Sequence, residues 1–216
     1  MSDPAVAESV LSNSIGTFAD LVAAGTPSPG GGSVAAYCGV LAASLGQMVC
    51  SLTIGKKKYA ESEPRLLNVR PELEALGARL RDLIAEDAAS FEDVLAAYRL
   101  PKETDEQNVA RAEAIQRALQ RAVAVPLETA TRSVEVLRLL REIADSGNTN
   151  ALSDVAVGAQ LAQTAVRGAS YNVFINLNSI SDREFVATTR QQVDEMIDES
   201  KAIADQVDAK IQTRNE

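Results

Sequence analysis

An all-α fold, in which long and short helices pack as one domain (residues 1–216) around a buried central helix of small residues, follows from three observations. No run of alternating β-branched residues occurs anywhere in the chain. Apolar residues recur instead at three- and four-residue spacings over most of its length. The stretch between Leu21 and Gly55 carries no charged side chain, in a protein that is otherwise 24% charged. A segment so bare of charge belongs in the interior.

The elements follow in order. Ser14 caps a short helix, Ile15 to Ala24, whose Ile15, Phe18, Leu21 and Val22 form one stripe, and Gly25 ends it. TPSPGGG is a turn by its residue types. Ser33 to Ile54 is the central helix; Ala36, Gly39, Ala43 and Gly46 recur every three or four residues and let another backbone approach closely. By length alone it is a membrane-span candidate, but Ser44, Gln47, Ser51 and Thr53 interrupt it, and the other helices are amphipathic. A buried core helix is the expected state.

Pro64 opens a helix to Tyr98, with a kink expected at Pro71; Leu73, Leu76, Leu80, Leu83, Ile84, Phe91, Val94 and Leu95 follow helical spacing. After a turn at Leu100–Thr104, Thr104 caps a long helix from about Asp105 to Asp145, with a bend expected at Pro126. Ser146–Asn150 breaks it. Ser153 begins a helix to about Ile180, and Asp182 opens a charged last helix running to the C-terminus.

Composition narrows the function. Net charge −9 and a pI near 4.7 argue against a general affinity for nucleic acid. Histidine is absent, which excludes Ser-His-Asp and Cys-His machinery and zinc sites of the HExxH kind. Cys38 and Cys50 lie on one expected helix, too far apart to bond to each other there, and read as two small core residues. The first residues have no basic segment followed by an apolar run, so a cytoplasmic protein is the expectation.

Several motifs carry a chemical reading beside a plainer one. Gly30-x-Gly32-x-x-Ala35 formally fits a relaxed dinucleotide fingerprint but lacks the preceding strand and the distal acid. Gly30, Gly31, Gly32 and Ser33 at a helix start can cradle an anion or a developing oxyanion, or simply make a tight turn. Lys56, Lys57 and Lys58 close the central helix and point about 100° apart if helical, so at most two serve one site; a solvated charge run is the plainer alternative. Asp87 lies one turn before Phe91, either an acid–base group beside a flat ring or a surface carboxylate over a core aromatic. Asp154 in a first helical turn suits the dipole. Asn172 and Asn176 share a face within an apolar run; they either bind a ligand or tie helices together.

PSPGGGSVAA (27–36), MVCSLTIGKKKY (48–59), EDAASF (86–91), LPKETDE (100–106), VPL (125–127), GN-x(4)-SD (147–154) and YNVFINL (171–177) occur in this order. Together they resemble the methenyltetrahydrofolate cyclohydrolase and formiminotetrahydrofolate cyclodeaminase family, the helical unit also found fused to formiminotransferase. The likeness extends from about Gly16 to Phe185. It implies a homodimer with a folate cleft close to the subunit interface, a tetrahydrofolate substrate with or without a polyglutamate tail, and no metal or cofactor beyond the folate itself. It implies Asp87 and Asp154 as acid–base or cation-stabilising carboxylates, with Lys56 orienting a proton-transfer group or, with Lys57, holding the glutamate tail. Ser33 and the Gly30–Gly32 backbone would hold the pterin or reacting centre, and Asn148, Asn172 and Asn176 would position it.

The expected activity is hydrolysis of 5,10-methenyltetrahydrofolate to 10-formyltetrahydrofolate, since the all-lysine GKKK segment and the free-standing chain look more like the bacterial one-carbon members. The alternatives are a cyclodeaminase that releases ammonia and a non-catalytic folate-binding or scaffold dimer.

Overall fold

The computed structural model describes residues 14–215, which form six α-helices and two short 3₁₀ turns, with no strand among the described residues. The helices are α1 (Ile15–Ala23), α2 (Gly31–Thr53), α3 (Glu63–Tyr98), α4 (Asp105–Ser146), α5 (Leu152–Leu177) and α6 (Arg183–Asn215). The 3₁₀ turns, Lys57–Tyr59 and Thr149–Ala151, follow α2 and α4.

Caps set most boundaries. The Thr17 amide donates to the Ser14 hydroxyl at 3.2 Å, and Thr104 and Gln107 make a reciprocal capping box at the start of α4. Asp182 accepts from the Glu184 and Phe185 amides at the start of α6. α3 and α4 run uninterrupted through Pro71 and Pro126.

α2 is the axis, wrapped by α3, α4 and α5. A Cβ on Gly39 would meet Ser133 of α4 and Leu80 of α3, and one on Gly46 would meet Leu73 of α3 and Leu140 of α4. Gly158 of α5 sits against the Ala42 carbonyl and Gly168 against Ala35. These pairings fix direction: α3 and α5 run antiparallel to α2, and α4 runs parallel to it. Val49, Leu66, Val69, Leu73, Leu80, Leu137, Leu140 and Ile143 are fully buried around this axis. Truncating Leu73 or Leu140 to alanine would cost about 2–5 kcal/mol.

α2 is the buried core helix expected, but its burial is one-sided. Leu41, Met48 and Leu52 are 36%, 38% and 43% exposed, and Val34, Cys38 and Leu45 on the same face are only partly covered. Of the two cysteines only Cys50 is core, its thiol pushed up to about 11 chiefly by burial. α1 has no buried residue and touches this outer side through Phe18, whose ring lies 5.3 Å from that of Tyr37. By length and composition α2 would pass as a membrane span, yet 56% of its apolar window is buried against protein.

Candidate functional site

The polar residues singled out in the sequence gather at the two ends of α2. At the N-terminal end the first helical hydrogen bond runs from the Val34 amide to the Gly30 carbonyl, so the amides of Gly31, Gly32 and Ser33 have no partner within the helix. Asp87 of α3 stands over them. The Ser33 hydroxyl donates to Asp87 Oδ2 at 2.9 Å and lies 3.2 Å from the Ile84 carbonyl. A Cβ on Gly32 would fall 2.2 Å from Asp87 Oδ1, so only glycine leaves room for this carboxylate against the helix start. Asn172 of α5 closes the third side, its Nδ2 3.6 Å from where a Cβ of Gly31 would be. Gly31, Gly32, Ser33, Asp87 and Asn172 thus converge.

Burial pushes the Asp87 carboxyl above the usual carboxylate range, and the Ser33 hydroxyl and backbone pull it partway back. A carboxyl with a raised pKa at a helix start is suited to taking up and returning a proton. Phe91 follows on the same face of α3, one turn on. Of the two readings left open for Asp87, the surface one fails.

Asn176 resolves the other way. Pro126 has no amide proton, so the Ala122 carbonyl four residues before it loses its helical donor. Asn176 Nδ2 supplies one at 2.9 Å and also donates to the Asn172 carbonyl at 3.0 Å. Its amide nitrogen repairs α4 and ties it to α5. Asn172 Nδ2 donates to the Gly168 carbonyl at 2.9 Å, and the residue remains partly exposed beside Gly31.

At the other end, Gly55 takes φ +80°, a conformation costly for other residues, and turns the chain out of α2. Lys56 precedes and Lys57 opens the 3₁₀ turn, so the lysines do not continue an α-helix. Lys56, Lys57 and Lys58 are all exposed, and none pairs with a carboxylate among the described residues. Asn148 is buried beside them. Its backbone amide donates to Thr53 Oγ1 and its Nδ2 to the Leu52 carbonyl, while its Oδ1 accepts from Tyr59 and from the Asn150 amide. That side chain is committed to closing the end of α2 rather than to facing a ligand. Asp154, half-buried in the first turn of α5, belongs to this end because α5 runs antiparallel to α2.

The candidates therefore form two groups. Gly30 to Ser33, Asp87, Asn172 and Asn176 lie at one end; Lys56, Lys57, Asn148 and Asp154 lie at the other. The intervening helix has 23 residues, which at 1.5 Å per residue is about 34 Å. A groove of about 450 Å³ between α3 and α4, lined by Arg65, Glu72, Leu76, Glu135, Arg138 and Glu142 among others, contains none of them. No trio of His, Cys, Asp or Glu side chains is grouped to hold a metal among the described residues.

Sequence reasoning passed over Tyr59, Thr53 and Thr149, which organise the lysine end. A tyrosine directly after three lysines, in a chain with only 4 tyrosines, was the available signal.

Comparison with known proteins gives the family. The formiminotransferase-cyclodeaminase family model matches residues 14–195. A methenyltetrahydrofolate cyclohydrolase of Methylorubrum extorquens is 40% identical over 193 residues, covering 89% of this chain and 93% of that protein. The rat formimidoyltransferase-cyclodeaminase is 36% identical over 209 residues, and the match spans 97% of this chain but only 39% of the rat protein. The crystal structure of a formiminotetrahydrofolate cyclodeaminase from Thermotoga maritima superposes with TM-score 0.86 at 28% identity, over 96% of this chain and 100% of that one. The chain belongs to the formiminotransferase-cyclodeaminase family.

Proposed function

We propose that this member of the family is a folate one-carbon enzyme that hydrolyses 5,10-methenyltetrahydrofolate to 10-formyltetrahydrofolate. The carrying observation is the half-buried Asp87 held by the Ser33 hydroxyl and backbone over the start of α2, in a chain 40% identical to a cyclohydrolase along nearly all of that protein. Asp87 takes a proton from water as the hydroxyl adds to the cationic methenyl carbon. The amides of the α2 start stabilise oxygen charge on the tetrahedral carbon. As the bond to N-5 breaks, its electron pair stays on nitrogen, which receives the proton from Asp87. The carbinol proton leaves to solvent, and the formyl group remains on N-10. Phe91 offers a face to the pterin, and Asn172 orients it. The reaction draws on no metal or further cofactor, and the protein works in the cytoplasm.

Lys56 and Lys57 take the anionic glutamate tail, and the roughly 34 Å length of α2 makes this a two-subunit site. The exposed apolar stripe of α2 runs from Val34 to Leu52, with its midpoint at Ala43. Antiparallel pairing with a second copy about that midpoint sets Thr53 opposite Ser33 and Lys56 opposite Gly30. A closed C₂ homodimer then has two sites, each with Asp87 from one chain and lysines from the other. Asp154, at the lysine end, would join as the second carboxylate.

Loss of the near-ultraviolet absorbance of methenyltetrahydrofolate tests the activity; no acceleration over buffer sinks it. The structural likeness to the Thermotoga cyclodeaminase favours a second reading. In it, N-10 attacks a formimino carbon and Asp87 gives the departing ammonia its proton. Ammonia release from formiminotetrahydrofolate decides between the two. A folate binder without catalysis would gain thermal stability from folate and turn over neither substrate.

A further inference from the structure

Tyr59 sits in a relay that joins the lysine turn to the end of α2. The Lys58 ammonium donates to Thr149 Oγ1 at 3.4 Å and lies 5.3 Å from the centre of the Tyr59 ring. The Tyr59 hydroxyl donates to Asn148 Oδ1 at 3.3 Å, which uses its one proton. The 3.1 Å contact between the Tyr59 and Thr149 hydroxyls is therefore donated by Thr149, whose backbone amide also donates to Tyr59 at 3.0 Å. Asn148 completes the chain by binding Leu52 and Thr53 in the last turn of α2. One phenol oxygen thus holds two turns some ninety residues apart in sequence.

The consequence falls on the lysines. Lys58 is drawn inward onto Thr149 and the Tyr59 ring, while Lys56 and Lys57 are left exposed with no carboxylate partner among the described residues. Two ammonium groups without a carboxylate partner on a turn tied at Tyr59 are preorganised for an anion; on a loose turn the same charges would first have to be ordered. A purely structural clamp would not require its occupant to follow three lysines.

We propose that Tyr59 is a positioning residue, setting through Thr149 and Asn148 the orientation in which Lys56 and Lys57 receive the polyanionic glutamate tail of the substrate. The proposal rests on the tail-binding role given above to those lysines. The acidity of the phenol agrees with the geometry: hydrogen bonds from Thr149, with help from Lys58, lower its pKa to about 8.

The test compares methenyltetrahydrofolate bearing three glutamates with the methenyltetrahydropteroate form that has none. In Tyr59→Phe, KM for the triglutamate rises about 3- to 10-fold, the range expected when one hydrogen-bonded tie is lost, kcat stays within about twofold, and KM for the pteroate is unchanged. Thr149→Val, which removes the acceptor for Lys58 and the hydroxyl bond to Tyr59, moves the same ratio in the same direction and stands in if the Phe variant fails to fold. An equal KM change for both substrates, or none for the triglutamate, overturns the proposal. If Lys56→Ala/Lys57→Ala leaves the triglutamate KM untouched, the tail-binding reading itself falls. If that double variant raises KM while Tyr59→Phe does not, only the positioning role is lost.

Discussion

The two ends of α2 are opposite solutions to the problem of handling charge. At the glycine end a single carboxylate is drawn out of water against backbone amides, with one serine hydroxyl to hold it. At the lysine end three cations stay in solvent, and the burial is borne by neutral groups, Asn148, Thr53, Thr149 and Tyr59, which satisfy one another. The first arrangement shifts a proton equilibrium. The second leaves the charges exposed and uses its hydrogen bonds for position. A proton-transfer group gains from low polarity around it, whereas an anion receptor gains from ammonium groups that are fixed but still accessible.

The comparison breaks most visibly at Asp87. Asp87→Asn keeps the acceptor for Ser33 but cannot exchange the proton, so kcat for methenyltetrahydrofolate falls about 10²- to 10⁴-fold; turnover within about threefold of wild type would remove Asp87 from the chemistry. The same substitution affects stability in the opposite sense. Because burial raises the Asp87 pKa, its contribution is full at low pH and is lost as pH rises through the folded-state value. The Asn variant therefore melts higher than wild type at pH 7, and the gap closes toward about pH 4, near the ordinary aspartate pKa. Thermal scans across that range check it.

Gly32→Ala comes next. The new methyl group takes the space of Asp87 Oδ1, and a displacement of the carboxylate by about 1 Å costs on the order of 10²-fold in kcat, while far-ultraviolet circular dichroism stays native. At the lysine end, Lys56→Ala/Lys57→Ala raises KM for a glutamylated substrate about tenfold, equivalent to one charge-assisted contact, with kcat nearly unchanged. Mixing this double variant with Asp87→Asn sharpens the contrast. Half of randomly exchanged dimers are mixed and one site in each is whole. At glutamylated substrate well below its wild-type KM, about a quarter of wild-type activity therefore returns if the ends meet across a two-fold, against roughly a twentieth before exchange; no rise on exchange rejects a shared site. The smallest effect belongs to Asn148→Ala, which leaves the Leu52 carbonyl, the Tyr59 hydroxyl and the Asn150 amide short of a partner and lowers Tm by about 2–10 °C with little change in kcat.

Much of this was legible in the sequence because it depends on local chemistry. Helix starts at Ser14 and Thr104 follow from side chains that can reach their own amides. The absence of charge in α2 marked it as the axis. The motifs pointed to Asp87, but spacing alone favoured the surface reading, since an i, i+4 pair does not say which face is covered. Asn176 was ambiguous for a similar reason: its partner, the Ala122 carbonyl, is set free by a proline in another helix. Tyr59 was missed because the groups that define it lie some ninety residues away.

By itself, then, the sequence determined where most helices begin and end and which helix is central, since each depends on neighbours within a turn or two, while the folate reading came from the likeness of its motifs to a family. Only tertiary structure decided that Asp87 packs against Gly32, that Asn148 and Asn176 serve the fold, and that the lysines lie a full helix length from the carboxylate. Those outcomes depend on which helices pack together and in which direction, and no residue encodes that alone.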